Sequence, residues 1–104
     1  MGGDGRRIVH IGLPELSEDE LVAIGDLAQE TILQCIFNEL TRSEVKDIEV
    51  TTRINRNETL DLEVEVYLEV PVFLKADPDA LVDKAIERAY EVVEKRLKEL
   101  AAKD

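Results

Sequence analysis

Four carboxylates recur at alternate positions of one stretch, and their type and spacing could support metal chemistry. Asp61, Glu63 and Glu65 occupy every second position, and Glu69 continues the same parity. On an extended strand such residues share one face and follow each other at about 6.8 Å. Ca²⁺ takes about six to eight oxygen ligands, usually from a loop that wraps the ion. We therefore expect this flat acidic ladder to be a solvated or ion-paired face, with docking of a basic partner as the second alternative and metal binding as the third.

His10 and Cys35 are the single histidine and the single cysteine of the chain. A catalytic histidine needs a nucleophile or an acid–base partner within hydrogen-bond distance, and the sequence offers none, so a packed or surface histidine is expected. Cys35 falls within an apolar helical stripe, where a thiol is expected to be buried and inert. The GxGxxG, P-loop, CxxC and HExxH motifs are also missing. We therefore predict no catalytic residues, no cofactor, no metal-ligand set and no enzymatic activity.

The acidic ladder belongs to a long strand, Thr59–Leu74, whose intervening residues are apolar. These residues form the opposite, dry face of the strand: Leu60, Leu62, Val64, Val66, Leu68, Val70 and Val72. A preceding strand carries its own inward residues, which are Ile48, Val50, Thr52 and Ile54. Because both inward sets are even-numbered, the hairpin loop must hold an odd number of residues. Three are expected, with Asn57 or Glu58 near a positive φ.

Two amphipathic helices supply the layer that covers the dry face. The first is predicted from about Glu18 to Thr41, with a capping box between Ser17 and Glu20. Gly25 inside it costs roughly 1 kcal/mol relative to alanine, which indicates close approach of a neighbouring backbone. The second helix starts at Asp77-Pro78. The prediction is an α+β, two-layer sandwich: a long antiparallel β-hairpin, with or without a third short N-terminal strand, covered on one face by two α-helices in the order (β)αββα.

The far end of the long strand extends beyond its hairpin partner and needs another neighbour for its backbone groups. There are two candidate neighbours: the apolar run Ile8–Ile11, which is predicted to form a brief strand, and the same strand of a second subunit. We therefore predict a non-enzymatic interaction module or accessory subunit that forms a homodimer. Its candidate partner-docking residues are the acidic ladder together with Leu68, Val70, Val72 and Phe73. The alternative is a small-ligand or divalent-metal-binding domain that uses the acidic face.

The composition limits the setting of such a module. The 104 residues suffice for one domain, which we assign to 6–104 after a disordered lead-in over 1–5. Charged residues reach 36%, above the roughly 25% of typical soluble domains, and such ion-pair-rich chains are favoured in thermophiles. The lone cysteine and the lack of a long apolar run predict a cytoplasmic protein that is not bound to a membrane.

The net charge of −11 disfavours nucleic acids and anionic membrane surfaces as partners. An acidic chain gains nothing from counterion release at phosphates. Nucleic-acid binding ranks third among the functions, because the basic cluster near the second strand has no interleaved aromatics for base stacking. The members of this cluster are Arg42, Lys46, Arg53 and Arg56. Arg53 is expected opposite Asp61 or Glu63, where it partly neutralises the ladder.

Three stretches carry a resemblance to a known family: IGLPELS at residues 11–17, ETLDLEVEVY at 58–67 and AYEVVE at 89–94. Together they resemble a small archaeal family of uncharacterised proteins, domain of unknown function 3194. The resemblance covers most of the chain from about Ile8 onward and implies an archaeal cytoplasmic protein. The family has no assigned functional residues, so none is carried over.

Overall fold

Three strands and two long helices make up the fold, which a computed structural model describes over residues 3–102. In chain order these are β1 (Asp4–Leu13), α1 (Glu18–Glu39), β2 (Asp47–Arg56), β3 (Leu60–Glu69) and α2 (Pro78–Ala102), with a short 3-10 turn at Arg42–Glu44. The predicted α+β class and the order βαββα are confirmed. Neither long helix combines the length and the hydropathy that a membrane span requires, as judged over the described residues.

β3 is the central strand of the sheet, whose order is β1-β3-β2 with both pairs antiparallel. Leu68, near the far end of β3, lies opposite Gly5 of β1 on one side and Ile48 of β2 on the other. The expectation that β3 extends beyond its hairpin partner is therefore wrong. Of the two neighbours expected for its far end, the N-terminal strand is the one present, and it runs for ten residues rather than four.

β1 begins earlier than the sequence indicated. Asp4 and Gly5 are its first residues, so they belong to the sheet and not to a disordered lead-in, while Met1 and Gly2 lie outside the described residues. Gly5 is buried beneath the start of α2. A Cβ atom at this position would lie 2.9 Å from the backbone of both Pro78 and Asp79, so the close packing of helix on strand requires glycine here.

The core lies between the sheet and the helices. The even-numbered residues of β3 from Leu62 to Leu68 are almost completely buried, which confirms the predicted dry face over this length. α1 packs over β2, and α2 packs over β1 and β3. The remaining core residues come mainly from the helices: Leu21, Ile24, Ala28, Ile32, Ile36, Val82, Ala85, Ile86, Ala89 and Val93.

The strand ends at Glu69, five residues before the predicted end. Pro71 cannot donate a ladder hydrogen bond, and the chain folds into a turn in which the Leu74 N–H donates to the Pro71 carbonyl at 3.0 Å. Val72 consequently projects into solvent with 78% of its surface exposed, so its assignment to the dry face is wrong.

The β2–β3 hairpin has a loop of three residues, as the parity argument predicts. The Asn57 N–H donates to the Thr59 carbonyl at 3.3 Å. The expected positive φ at Asn57 or Glu58 is wrong, since no non-glycine residue of the described chain has one. Arg53 lies opposite Glu63, one of the two positions predicted.

Both helices start as predicted. The Glu20 N–H donates to Ser17 Oγ at 3.2 Å and the Ser17 N–H donates to Glu20 Oε1 at 2.9 Å, which completes the capping box. The Ala80 N–H donates to Asp77 Oδ1 at 3.2 Å at the start of α2. Inside α1, the atom that a Cβ on Gly25 would meet first is a side-chain oxygen of Thr52, so the expected close approach of a backbone is wrong.

Candidate docking surface

The open face of the sheet carries the acidic ladder at its centre. Because the helices cover only the other face, the odd-numbered side chains of β3 point towards solvent. The four ladder residues Asp61, Glu63, Glu65 and Glu69 are nevertheless mostly buried, with only 19–32% of each side chain exposed, since side chains of β1 and β2 flank them on both sides. Each of the four carboxylates has a polar partner, which lies on β1, on β2 or, for Glu69, at Lys46 just before β2.

Two residues of β2 contact the first two carboxylates of the ladder, Asp61 and Glu63. Arg53 lies directly opposite Glu63, with Nη1 3.9 Å from Oε2. The Asn55 amide donates to Glu63 Oε1 at 3.2 Å and to Asp61 Oδ2 at 3.5 Å. The prediction that Arg53 neutralises part of the ladder is confirmed.

β1 contributes a histidine and an arginine from the other side. His10 Nδ1 lies 2.8 Å from Asp61 Oδ2. Arg6 places Nη1 3.4 Å from Glu65 Oε2 and its guanidinium 5.0 Å from the centre of the Tyr67 ring. His10 is a surface histidine, as expected, but its carboxylate partner was not predicted because the sequence did not fix the register of β1 on β3.

Tyr67 and Glu69 form a further set of contacts at the C-terminal end of β3. The Tyr67 hydroxyl donates to Glu69 Oε1 at 3.0 Å, and Lys46 Nζ lies 3.4 Å from Glu69 Oε2. The pKa of Tyr67 is raised, first by this hydrogen bond, then by desolvation and by the negative charges of Glu69, Asp4 and Asp47. These three acidic residues therefore lie near the same ring.

The ladder has the geometry of an ion-paired face. Its carboxylates are occupied by cationic or amide groups at hydrogen-bond or ion-pair distance. Over residues 3–102, no three histidine, cysteine, aspartate or glutamate side chains come together closely enough to hold a metal ion. The arrangement stabilises the open face of the sheet and brings together no nucleophile with a general base.

The apolar half of the predicted docking set divides into two groups. Leu68 and Val70 are buried in the core and cannot contact a partner, so their assignment as docking residues is wrong. Val72 and Phe73 are 78% and 83% exposed. They form an apolar knob in the turn between β3 and α2.

Cys35 lies in a groove between the two helices. Its side chain is half-buried and packs against the core, so the expected complete burial is not found. The groove has a volume of about 600 Å³, opens to solvent and mixes apolar with charged lining residues, among them Thr31, Arg88 and Val92. Lys84 binds Glu39 at its rim, and this hydrogen bond raises the pKa of Lys84.

The outer edge of β1 has no neighbouring strand in the described sheet. The Val70 N–H donates to the Gly3 carbonyl at 2.6 Å, one step beyond the opposed pair Asp4 and Glu69. In an antiparallel ladder, opposed residues that exchange backbone hydrogen bonds alternate with opposed residues whose N–H and carbonyl groups point away from the partner strand. The odd-numbered residues of β1 therefore bond to β3. The even-numbered ones direct their N–H and carbonyl groups outward, and we call these five residues the free edge: Asp4, Arg6, Ile8, His10 and Gly12.

Apolar side chains flank the free edge on both sides. Ile8 lies on the open face of the sheet with 52% of its surface exposed. On the other side, Arg7 Nε lies 2.6 Å from Asp83 Oδ1, which identifies the flank of α2 that adjoins β1. Tyr90 and Leu97 follow Asp83 at seven-residue spacing, about two helical turns each, so they share this flank. Tyr90 is 43% exposed.

The outer edge of β2 differs from the free edge of β1. Its outward carbonyls belong to even-numbered residues, since the Asn57–Thr59 hydrogen bond assigns the odd ones to β3. One of these carbonyls, that of Val50, accepts a hydrogen bond from the Gln29 side chain of α1 at 3.4 Å. A side chain of the same chain thus already occupies part of this edge. Sequence reasoning missed the edge of β1 because only the strand order reveals it.

Comparison with known proteins agrees with the resemblance seen in the sequence. Residues 13–96 match the family model described as a protein of unknown function, DUF3194. The chain belongs to this family. It is similar to uncharacterized protein TK0644 of Thermococcus kodakarensis, at 61% identity over 97% of this chain and 94% of that protein. It is also similar to uncharacterized protein PH0533 of Pyrococcus horikoshii, at 59% identity over 92% of this chain and 83% of that protein.

Two solved structures show the same DUF3194 fold. A crystal structure from Thermococcus onnurineus NA1 shares 66% identity and a TM-score of 0.92, covering 97% of this chain and 98% of that one. The solution structure of hypothetical protein mth677 from Methanothermobacter thermautotrophicus shares 27% identity and a TM-score of 0.70, covering 85% and 96%. The relatives are archaeal, as the family resemblance implied, and thermophilic, as the charge-rich composition indicated.

Proposed function

We propose that this DUF3194 protein is a non-enzymatic protein-interaction module that binds an extended segment of another chain along the free edge of β1. The observation that carries the proposal is the free edge itself. Five residues at alternate positions of β1 offer outward backbone donors and acceptors, with Ile8 and Tyr90 exposed on either side. In strand addition, main-chain hydrogen bonds supply affinity and the flanking side chains supply selectivity.

The other surfaces support binding less well. The acidic ladder is occupied by its own ion pairs, and part of the outer edge of β2 is occupied by Gln29. The apolar knob offers only two side chains, Val72 and Phe73. Among the surfaces compared over residues 3–102, the free edge combines outward backbone groups along a whole strand with apolar contacts on both sides.

The charges on β1 fit an edge that binds selectively. Natural proteins place charged residues on edge strands to prevent indiscriminate pairing. Arg6 and Arg7 serve this purpose here, and both are anchored by acidic residues of the same chain, Glu65 and Asp83. A partner segment therefore has to match the pattern of side chains on β1. We place this function in the cytoplasm, which the lone Cys35 supports because it cannot form an internal disulfide.

The test removes a single outward backbone N–H. In Ile8→Pro the strand loses an N–H that points away from β3, so the internal ladder is kept. Ile8→Thr is the matched control, because it shortens the same side chain and retains the N–H. Each variant and the original protein serve as bait in a lysate of Thermococcus kodakarensis, and captured proteins are identified by mass spectrometry.

The expected result is a partner that binds the original protein and Ile8→Thr but is captured about 10-fold less by Ile8→Pro. With the purified partner, amide hydrogen exchange should then slow at Arg6, Ile8 and His10. Equal capture by all three baits, or a partner that protects other amides only, would contradict the proposal.

A further inference from the structure

We infer that the segment bound at the free edge is β1 of a second copy of this chain, paired antiparallel about a two-fold axis at Ile8. Two three-stranded sheets would then join into one sheet of six strands. This inference rests on the proposed function, because it names the partner that the same edge binds.

The hydrogen-bonding groups of the free edge are arranged symmetrically about Ile8. Its members run from Asp4 to Gly12 at every second position, so Ile8 is the middle one. A two-fold axis there sets Ile8 opposite Ile8 of the second copy, Arg6 opposite its His10, and Asp4 opposite its Gly12. Every outward N–H and carbonyl of the five residues then has a partner, and neither strand overhangs the other.

Neighbouring registers are less favourable. Moving the axis to Arg7 places two arginines directly opposite each other, which is destabilising. Moving the axis to Val9 leaves Asp4 without a partner. The register centred on Ile8 pairs all five residues of the free edge with one another and opposes no two arginines.

Charge also favours this surface for self-association. Two chains of net charge −11 repel each other, so they associate best through a region that is not acidic. β1 contains two arginines and one aspartate, whereas β3 contains four acidic residues and no basic one. In the register centred on Ile8, no two like-charged carboxylates or arginines stand directly opposite each other.

The apolar contacts are consistent with the same axis. Ile8 is half exposed on the open face and would meet its own copy on the axis. On the helix side, Arg7 would stand opposite the half-buried Val9 of the second copy. Arg7 keeps its ion pair with Asp83 in this arrangement, because that pair is formed within one chain.

A cysteine cross-link tests the axis directly. Opposed residues of a hydrogen-bonded antiparallel pair have Cα atoms about 5.5 Å apart, within the roughly 4.4–6.8 Å range of disulfides. The variant is Ile8→Cys in a Cys35→Ala background, oxidised and analysed by non-reducing electrophoresis. Thr51→Cys in the same background is the matched control, because Thr51 flanks Glu65 on the open face from β2 as Ile8 does from β1.

Light scattering after gel filtration measures the mass of the unmodified protein. We expect about twice 11.7 kDa and a disulfide dimer that forms through Cys at position 8 at least about 10-fold faster than at position 51. Ile8→Lys places two lysines on the axis and should weaken the dimer about 10-fold or more. Thr51→Lys should leave the dimer unchanged, and circular dichroism should show both lysine variants to be folded.

A monomeric mass at about 100 µM, which would mean a dissociation constant well above that concentration, would overturn the inference. Equal cross-linking at positions 8 and 51 would overturn it too. The proposed function is tested separately. If the protein is a monomer but still captures another protein only while the Ile8 N–H is present, the inference of a second copy fails and the proposed docking edge stands.

Discussion

Replacing Gly25 with alanine is expected to raise the free energy of unfolding by about 1 kcal/mol. Gly25 lies in the interior of α1 and is buried against β2. Its φ is not positive, so alanine can adopt the same backbone. A Cβ atom there would lie 3.4 Å from Thr52 Oγ1 and 3.9 Å from Thr52 Cβ, which are contact distances that require no movement of helix or strand.

The magnitude follows from two terms of the same sign. Alanine in place of glycine in a helix interior gains roughly 0.5–1 kcal/mol, mostly by reducing the freedom of the unfolded chain. Burying the added methyl group contributes up to about 0.8 kcal/mol more. The contact with the polar Thr52 oxygen offsets part of this gain. For a domain of this size, about 1 kcal/mol corresponds to a rise in Tm of about 4–8 °C.

Guanidinium unfolding followed by far-ultraviolet circular dichroism is the suitable assay, since the chain has no tryptophan. The unfolding midpoint should rise while the slope m stays constant. Gly5→Ala is the control of opposite sign, because its Cβ would lie 2.9 Å from the backbone of Pro78 and Asp79 and should destabilise by about 1–3 kcal/mol.

A fall in the unfolding midpoint of Gly25→Ala, comparable with that of Gly5→Ala, would refute the reasoning. It would mean that α1 lies closer to β2 than the distance to Thr52 indicates. A change in m would instead point to an altered unfolded state and would have to be separated from the packing effect.

Three further predictions concern single side chains. Ser17→Ala should lower the free energy of unfolding by about 1 kcal/mol while Ser17→Asp should not, since aspartate also caps the helix; equal losses in denaturant unfolding would contradict the capping role. In a Tyr90→Phe background, Glu69→Gln should lower the raised pKa of Tyr67 towards about 10 in an ultraviolet titration of tyrosinate. The hydrogen bond to Glu69 contributes stability that is complete below the pKa of Tyr67 in the unfolded chain and is lost as pH rises through its higher value in the folded protein, so this contribution disappears only at strongly alkaline pH. An unchanged titration midpoint in Glu69→Gln would refute the hydrogen bond to Glu69 as the cause of the raised pKa. Phe73→Ser should change the free energy of unfolding by less than about 0.5 kcal/mol, because the side chain is 83% exposed; a larger loss would show that the apolar knob packs within the chain.

The hairpin was predictable because its signals are local. Alternation along β3, the parity of the inward residues and the residue types at Ser17 and Asp77 each act over a few positions, and the structure confirms them. Parity cannot show where a strand stops, however. The apolar alternation continues through Val70 to Val72, but the chain leaves the sheet at Pro71 because that residue has no N–H for the ladder.

The full length of β1 was hidden by its position at the edge. Its helix-facing positions include Gly5, which lies beneath α2, and Arg7, which reaches Asp83 instead of entering the core. Only the run Ile8–Ile11 therefore had the composition of a strand. The docking edge could not be found in the sequence for a related reason, since it follows from the strand order and not from any residue pattern.

The central position of β3 also orders the folding reaction. Arg56 pairs with Leu60 across three loop residues, whereas Leu13 pairs with the same Leu60 only after α1 and β2 have intervened. Closing a short loop is faster than bringing together distant segments, and its entropic cost is lower. We therefore expect the β2–β3 hairpin to form early and the docking of β1 to complete the sheet. β1, which we propose as the contact with other chains, is then expected to be the last strand to join its own sheet. Until it joins, the edge of β3 would be exposed in the partly folded chain, where it could pair with other chains and aggregate.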